Sequence, residues 1–215
     1  KAAGARVYIH MSAIGASAES ASAYAKTKAE GEARAKANFP GAIITRASVI
    51  FGPEDDFFNR FGSMARMLPA LPLIGGGETK FQPAFVGDVA EAIALAVDGK
   101  ARGGTIYELG GPEVRSFKEL MEYVLSVTGR KRLLLPLPFG LAKLQASVLQ
   151  FLPKPPLTPD QVELLKTDNV VSEAAKSAGT TLDGLGITPD TIEAVVPSYL
   201  YRFRRTGQFE SKITA

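Results

Sequence analysis

The sequence predicts an α/β fold built around a parallel sheet. Two apolar, β-rich runs at residues 6–14 and 42–51 flank a segment rich in alanine, lysine and glutamate at residues 22–38. Short apolar runs bounded by turn residues are typical of buried strands, whereas alanine, lysine and glutamate favour helix. A strand, a helix and a strand in this order form a βαβ unit, so the two strands are expected to run parallel.

The same alternation continues to residue 109. We expect a helix at 57–68, a loop or hairpin at 69–80, a strand at 81–86, a helix at 88–98 and a strand at 104–109. Gly75-Gly76-Gly77 follows a proline-rich loop and opens no helix, so it is interpreted as a hairpin turn.

The second half of the chain is predicted to be mostly helical. Ser116 and Glu119 form a capping box that starts a helix, and Gly129 is placed to end it. A second capping box begins at Thr158, and Thr188-Pro189-Asp190 is expected to open the last helix. We therefore predict two parts, the sheet-containing residues 1–110 and a small helical subdomain at residues 111–215.

An apolar stretch at residues 133–153 contains a single charge, Lys143. Two prolines and Gly140 leave an apolar helix of about a dozen residues, which is too short to span a bilayer. The stretch is interpreted as a core helix after a basic turn, or as an amphipathic element on a membrane surface beside anionic lipids.

Composition excludes several classes of protein. The chain has no cysteine, so disulfide frameworks, thiolate metal sites and thiol nucleophiles are excluded. Its single histidine, His10, lies inside an apolar run and is interpreted as structural, so no metal site is predicted. The net charge of +3, without a dense basic stripe, predicts no nucleic-acid partner.

Tyr24 and Lys28 carry the most informative chemistry. At positions i and i+4 of a helix they share one face. A nearby ammonium favours the tyrosinate, so we expect a lowered pKa for Tyr24 and a role as acid or base in hydride transfer. Ser12, just before the loop that follows the first strand, is the candidate hydroxyl for orienting a substrate oxygen.

The order of strand, Ser12, loop, Tyr24-x-x-x-Lys28, helix and strand resembles the C-terminal half of extended and atypical short-chain dehydrogenases/reductases. The segment from Arg46 to Pro53 is similar to the family's Arg-Pro-x-x-Val-Tyr-Gly-Pro motif, with Ala47 in place of the proline. The segment from Phe85 to Ala90 is similar to its Tyr-Val-Asp-Asp-Val-Ala motif. The run from Phe39 to Val97 most resembles one branch, the nucleotide-binding accessory subunit of respiratory complex I and its bacterial relatives.

The resemblance implies a fold and a cofactor. The fold would be the C-terminal part of a Rossmann-like, doubly wound parallel sheet with a small, mostly helical substrate-type subdomain. The cofactor would be NADP or NAD, bound by Tyr24, Lys28, Ala47, Ser48 and Val49. In an active member, Ser12, Tyr24 and Lys28 would be the catalytic residues. The family's glycine-rich phosphate loop is not in this sequence, so the nucleotide site is expected to be incomplete within this chain.

Three functions follow from the resemblance. The first is an accessory subunit of a quinone-reducing respiratory complex, holding the nucleotide structurally and contacting other subunits and the membrane surface. The second is a free NAD(P)-dependent oxidoreductase or sugar-nucleotide epimerase/dehydratase, and the third is a nucleotide-binding redox sensor. The expected location is the cytoplasm or the inner-membrane surface of a bacterium, or the mitochondrial matrix side. The edge strand at residues 6–14 is expected to pair with a missing N-terminal part or with another copy.

Overall fold

A computed structural model describes residues 4–153, 155–205 and 207. Within them the strands are β1 (Ile9–Ala13), β2 (Ile43–Ala47), β3 (Ile50–Phe51), β4 (Ala70–Ile74), β5 (Lys80–Phe81), β6 (Ala84–Phe85), β7 (Ile106–Leu109), β8 (Arg115–Ser116) and β9 (Leu133–Leu137). The α-helices are α1 (Ala23–Asn38), α2 (Phe57–Met67), α3 (Val86–Val97), α4 (Phe117–Thr128), α5 (Phe139–Leu149), α6 (Pro159–Leu164), α7 (Glu173–Ser177), α8 (Ile192–Val195) and α9 (Pro197–Leu200). Single 3-10 turns occupy Gly75–Gly77, Asp183–Leu185 and Tyr201–Phe203.

The main sheet has three parallel strands in the order β1-β2-β7. Ala13 of β1 lies opposite Ala47 of β2, which lies opposite Leu109 of β7, so the carboxyl ends of the three strands are level. The predicted parallel βαβ unit is therefore confirmed.

Helices cover both faces of this sheet. Ile44 of β2 packs with Ala35 of α1 on one face, whereas Ile43 packs with Val89 and Ala92 of α3 on the other. Alternate residues of a strand point to opposite faces, so the apolar run of β2 fills both layers. The arrangement is a doubly wound α/β sheet, as the sequence predicts.

Residues 69–80 and the start of the 133–153 stretch differ from the prediction. In place of the predicted loop or hairpin, and ahead of the apolar helix, they contain β4 and β9, which pair parallel with Leu71 opposite Leu134 and Leu73 opposite Pro136. Proline lacks the N–H that an inner strand would need, but a two-stranded sheet consists of edges only and tolerates it. The glycine triplet is consequently a 3-10 turn at the end of β4 and not a hairpin turn.

Three other element boundaries also differ. The predicted strand at 42–51 is split into β2 and β3, since Ser48 turns away to bond Asn169. Helix α3 begins at Val86, and the last helices begin after Thr191, whose hydroxyl accepts the Ala194 N–H. These shifts move helix starts by a few residues.

A second hydrophobic core lies beside the main sheet and joins α2, α4, α8 and α9. Phe51, Phe58 and Leu120 are fully buried in it, together with Val196 and Leu200. The predicted division at residue 110 stays a prediction, although β4 and β9 pair across it. Within the described residues, no helix combines the length and apolar character needed to cross a membrane.

Candidate functional site

An open cleft of about 610 Å³ lies at the carboxyl ends of β1 and β2. One side is formed by Ala13 and Ala47 at the strand ends, and by Tyr24 of α1. Helices α2, α5 and α6 form the opposite side. In open α/β sheets, ligands bind outside the carboxyl ends of the strands, so this cleft is the candidate site.

The start of α1 sets the position of Tyr24. Ser22 is the N-cap, and its hydroxyl accepts the Ala25 N–H at 3.3 Å. Asp160, at the first turn of α6, accepts the Ala23 N–H at 2.7 Å, the Tyr24 N–H at 3.2 Å and the Ser22 hydroxyl at 3.0 Å. A carboxylate at these otherwise unbonded N–H groups stabilises a helix start, so Asp160 fastens α1 to the opposite side of the cleft.

Tyr24 and Lys28 share one face of α1, as predicted. The Lys28 ammonium lies 5.5 Å from the centre of the Tyr24 ring, and it approaches the Met11 carbonyl at 3.5 Å. The expected lowering of the tyrosine pKa is wrong for this structure, because partial burial raises the pKa of Tyr24. The phenol therefore remains protonated near neutral pH and can donate a hydrogen bond.

The Ser12 side chain is directed away from the cleft. Its hydroxyl donates to Glu32 Oε1 of α1 at 2.5 Å, and Ser12 is buried. Arg46 donates to both oxygens of the same carboxylate at 2.8 Å, and it lies 3.9 Å from Glu108. Ser12, Arg46 and Glu108 stand in register across the sheet, so they form one polar row beneath α1.

The electrostatics of this row favour an ionised Glu32. Burial raises the pKa of Glu32, but the hydrogen bonds from Arg46 and Ser12 outweigh burial, so the pKa lies below its usual range. The Glu32 hydrogen bond raises the pKa of Arg46. Glu32 and Glu108 are thus the acidic partners of the partly buried Arg46.

Ala13 lines the cleft together with Tyr24, as do the hydroxyl residues Ser20 and Ser48, whereas Ser12 does not line it. Ser12 and Ala13 are neighbours on a strand, so their side chains point to opposite faces. The structure therefore brings Tyr24 and Lys28 together but does not bring the Ser12 hydroxyl to them.

Ala47, Ser48 and Val49, which the sequence analysis predicts as cofactor contacts, all line the cleft. The Ser48 hydroxyl donates to the Asn169 side chain at 2.6 Å, and its N–H donates to the Leu109 carbonyl at 2.9 Å. Because Ser48 already has these partners, it offers less to a ligand than its residue type suggests.

Two important residues were not predicted from the sequence. The capping box at Thr158 predicted the start of α6. A local pattern of this kind could not show that Asp160 also accepts hydrogen bonds from the start of α1. Ala13 carries no polar atom, so no motif distinguishes it.

Curated relatives match nearly all of the chain. It is 35% identical over 211 residues to NADH dehydrogenase [ubiquinone] 1 alpha subcomplex subunit 9, mitochondrial, of Arabidopsis thaliana, covering 93% of this chain and 51% of the relative. It is 32% identical over 215 residues to the Mus musculus protein of the same name, covering 99% of this chain and 56% of that relative. The chain thus spans about half the length of these relatives. No protein-family model matches it.

Solved structures with the same fold include two sugar-nucleotide epimerases. The UDP-glucose 4-epimerase of Thermotoga maritima, solved with UDP-glucose, superposes with a TM-score of 0.64 at 18% identity, covering 94% of this chain and 65% of that one. The UDP-glucuronic acid 4-epimerase of Bacillus cereus, in complex with UDP-glucuronic acid and NAD, gives a TM-score of 0.55 at 18% identity, covering 92% and 62%. The chain is therefore homologous to the NADH dehydrogenase subunits named above and has the Rossmann-like fold of these epimerases.

Proposed function

We propose that the full-length protein binds NADP or NAD and serves as an accessory subunit of an NADH:quinone oxidoreductase, in which the nucleotide is structural. The observation that carries this proposal is that the Ser12 hydroxyl bonds Glu32 and not the pair formed by Tyr24 and Lys28. Tyr24 and Lys28 lie together on α1, with Tyr24 in the cleft, whereas the Ser12 hydroxyl is bonded to Glu32 beneath the same helix and does not line the cleft. Sequence relatives that bear the name of NADH dehydrogenase subunits support the choice of complex.

The residues present fit the nicotinamide-ribose end of such a nucleotide. Lys28 has ammonium protons for ribose hydroxyls, and the protonated Tyr24 has one donor. Ala47 and Val49 present small apolar side chains at the strand end, where a flat ring can lie. The nucleotide, when bound, would supply a hydride-carrying ring, and this chain's residues would hold and orient it.

Two features argue against turnover as the main role. A proton donor or acceptor needs a substrate oxygen held beside it, and the Ser12 hydroxyl, which the sequence offers for this purpose, is bonded to Glu32 instead. Burial also raises the pKa of Tyr24, which disfavours the tyrosinate that an oxidation would need.

The alternative is a free oxidoreductase or epimerase, and the adjacency of Tyr24 and Lys28 in an open cleft favours it. A redox sensor without catalysis is the third candidate. Turnover distinguishes the alternative from the other two, and co-purification with the respiratory complex separates an accessory subunit from a sensor.

The membrane-facing role rests on α5 and the segments that flank it. Leu144 and Val148 of α5 and Phe151 beyond its end are strongly exposed, and so is Leu133 of β9. Together with the exposed Lys131 of the preceding basic turn, these side chains would suit the interface of a membrane with anionic lipids, or the surface of a neighbouring subunit.

Nucleotide binding can be tested with matched lysine variants of the full-length protein. Lys28→Ala should weaken NADPH or NADH binding at least tenfold, which corresponds to about 1.4 kcal/mol. Lys26→Ala, two residues away and exposed on the same helix, should leave binding unchanged. Equal affinities of the two variants would contradict the proposed site.

The catalytic alternative needs a separate measurement. We expect no oxidation or reduction of the nicotinamide with quinones, carbonyl compounds or sugar nucleotides. Turnover by the wild type that disappears in Tyr24→Phe would establish the alternative and overturn a purely structural nucleotide.

A further inference from the structure

The cleft beside Tyr24 extends well beyond the strand ends, between α2, α5, α6 and β4. Its far part is lined by Met64, Leu68, Ile74, Leu149 and Leu157. A volume of about 610 Å³ lies in the range of small-molecule sites, and such sites are mostly apolar with a few polar groups.

Four phenylalanines form one wall of this cleft. Phe57 lies between Phe61, at 5.1 Å between ring centres, and Phe81, at 5.9 Å. Phe117 completes the wall at 5.3 Å from Phe61. Edge-to-face packing of this kind holds aromatic rings in place, so the wall is a fixed apolar surface.

Most polar side chains along the cleft already have partners. Ser48 and Asn169 bond each other at 2.6 Å, and the Asn169 amide donates to the Ile14 carbonyl at 3.2 Å. Gln161 accepts the Thr158 N–H within its capping box. A polar ligand buried here would lose water without gaining hydrogen bonds, which costs free energy.

The charges along the part of the cleft beyond the strand ends disfavour a ligand that carries a diphosphate there. Among the described residues that line it, Arg60 is the single cation, against the carboxylates of Asp56, Asp168 and Glu163. Arg60 already lies 3.4 Å from Asp56. Diphosphates are held in proteins by arginine and lysine side chains, so the cleft differs chemically from a sugar-nucleotide site.

We propose that this cleft binds the long apolar chain of a neutral lipid-like molecule, acyl or isoprenoid, with its polar head at the Tyr24 end. The apolar tail would lie along the phenylalanine wall toward Leu149 and Leu68. The proposal concerns the substrate side of the proposed nucleotide site, but chain binding does not require the nucleotide. The two proposals can therefore fail independently.

The test uses equilibrium binding to the full-length protein without added nucleotide. The probes are radiolabelled farnesol and a neutral monoacylglycerol, each below its aggregation concentration, with UDP-glucose as the polar comparison. We expect saturable binding of at least one chain and no binding of UDP-glucose. Preference for farnesol would identify an isoprenoid site, and preference for the monoacylglycerol an acyl site.

Two matched pairs of variants locate the bound chain. Leu149→Glu places a charge in the cleft, whereas Val148→Glu changes the adjacent residue of α5, which is 70% exposed and lies outside it. Leu68→Glu and Met67→Glu form the second pair at the end of α2, with exposures of 40% and 67%. The cleft variants should weaken chain binding at least tenfold and the outer variants should not.

The Leu68 pair keeps the test decisive if Leu149→Glu fails to fold, since Leu68 is already partly exposed. Unchanged melting temperatures confirm that each variant is folded. Binding of UDP-glucose in place of the chains, no saturable binding of either chain, or equal losses within both pairs would overturn the proposal. Nucleotide affinity, measured separately, tells whether the proposed nucleotide site is also affected.

Discussion

At the scale of single residues, the direction of one side chain decides the functional interpretation. The sequence places Ser12 and Tyr24 in the order expected of a triad. It could not show that Ser12 belongs to the α1 face of β1, since a one-residue shift exchanges the two faces. Tyr24 and Lys28 were predictable because helical spacing alone brings them together.

The polar row beneath α1 predicts a large cost for losing Glu32. Glu32→Gln removes the charge that partners Arg46, so the free energy of unfolding should fall by about 2–4 kcal/mol. Glu30→Gln, on the same helix and exposed beside Arg34, should change it by less than about 0.5 kcal/mol. Urea denaturation at pH 7 measures both, and equal stabilities would contradict a structural role for the row.

The lowered pKa of Glu32 also predicts a pH dependence. The stabilisation from its ionised form is present above the unfolded-state pKa of about 4.3 and is lost as the pH falls. Wild type should therefore lose its advantage over Glu32→Gln in acid. If the difference in free energy of unfolding between them stays constant from pH 7 to pH 3, this assignment is wrong.

The raised pKa of Tyr123 predicts that the protein loses stability at alkaline pH. Burial, with the nearby charge of Glu193, raises its pKa to about 12. Its contribution to stability is complete below pH 10 and is lost as the pH rises through 12. Tyr123→Phe cannot ionise, so between pH 9 and pH 11.5 it should lose about 1–2 kcal/mol less than the wild type. Parallel losses in the two proteins would contradict this expectation.

At the scale of elements, the sequence predicted the helix ends correctly where capping residues close by in the sequence determine them. The capping boxes at Ser116 and Thr158 are present, and Gly129 ends α4 with a φ of 60°. Strands β4 and β9 were missed because each is stabilised by the other across more than fifty residues of sequence. Both strands contain proline, which normally argues against a strand because it lacks the N–H donor. Proline is tolerated here because each strand of this two-stranded sheet is an edge strand.

Asp160 links two elements, and its loss should loosen α1 specifically. Asp160→Ala removes the acceptor for two N–H groups of α1, so the free energy of unfolding should fall by about 1–2 kcal/mol. Amide exchange at residues 23–25 should accelerate in the same variant. Asp98→Ala, exposed after the end of α3, serves as the control. Unchanged exchange at the start of α1 would show that Asp160 does not position Tyr24.

At the scale of the whole molecule, the main sheet has an open edge along β1. The Tyr8 carbonyl and the Ile14 N–H face β2, so alternation directs the Met11 N–H to the other side. In the full-length protein we expect another strand to pair there. Hydrogen exchange at Met11 should then be as slow as at His10, whereas fast exchange at Met11 alone would show that the edge stays open.

The central claim is that the full-length protein carries a structural nucleotide within a respiratory complex. The most direct measurement is to isolate the tagged protein from its native cells and to determine both its partners and its bound nucleotide by mass spectrometry. We predict NADP or NAD at about one per protein, together with subunits of an NADH:quinone oxidoreductase. A protein that is isolated alone, and that turns over a small substrate through Tyr24, would contradict the account.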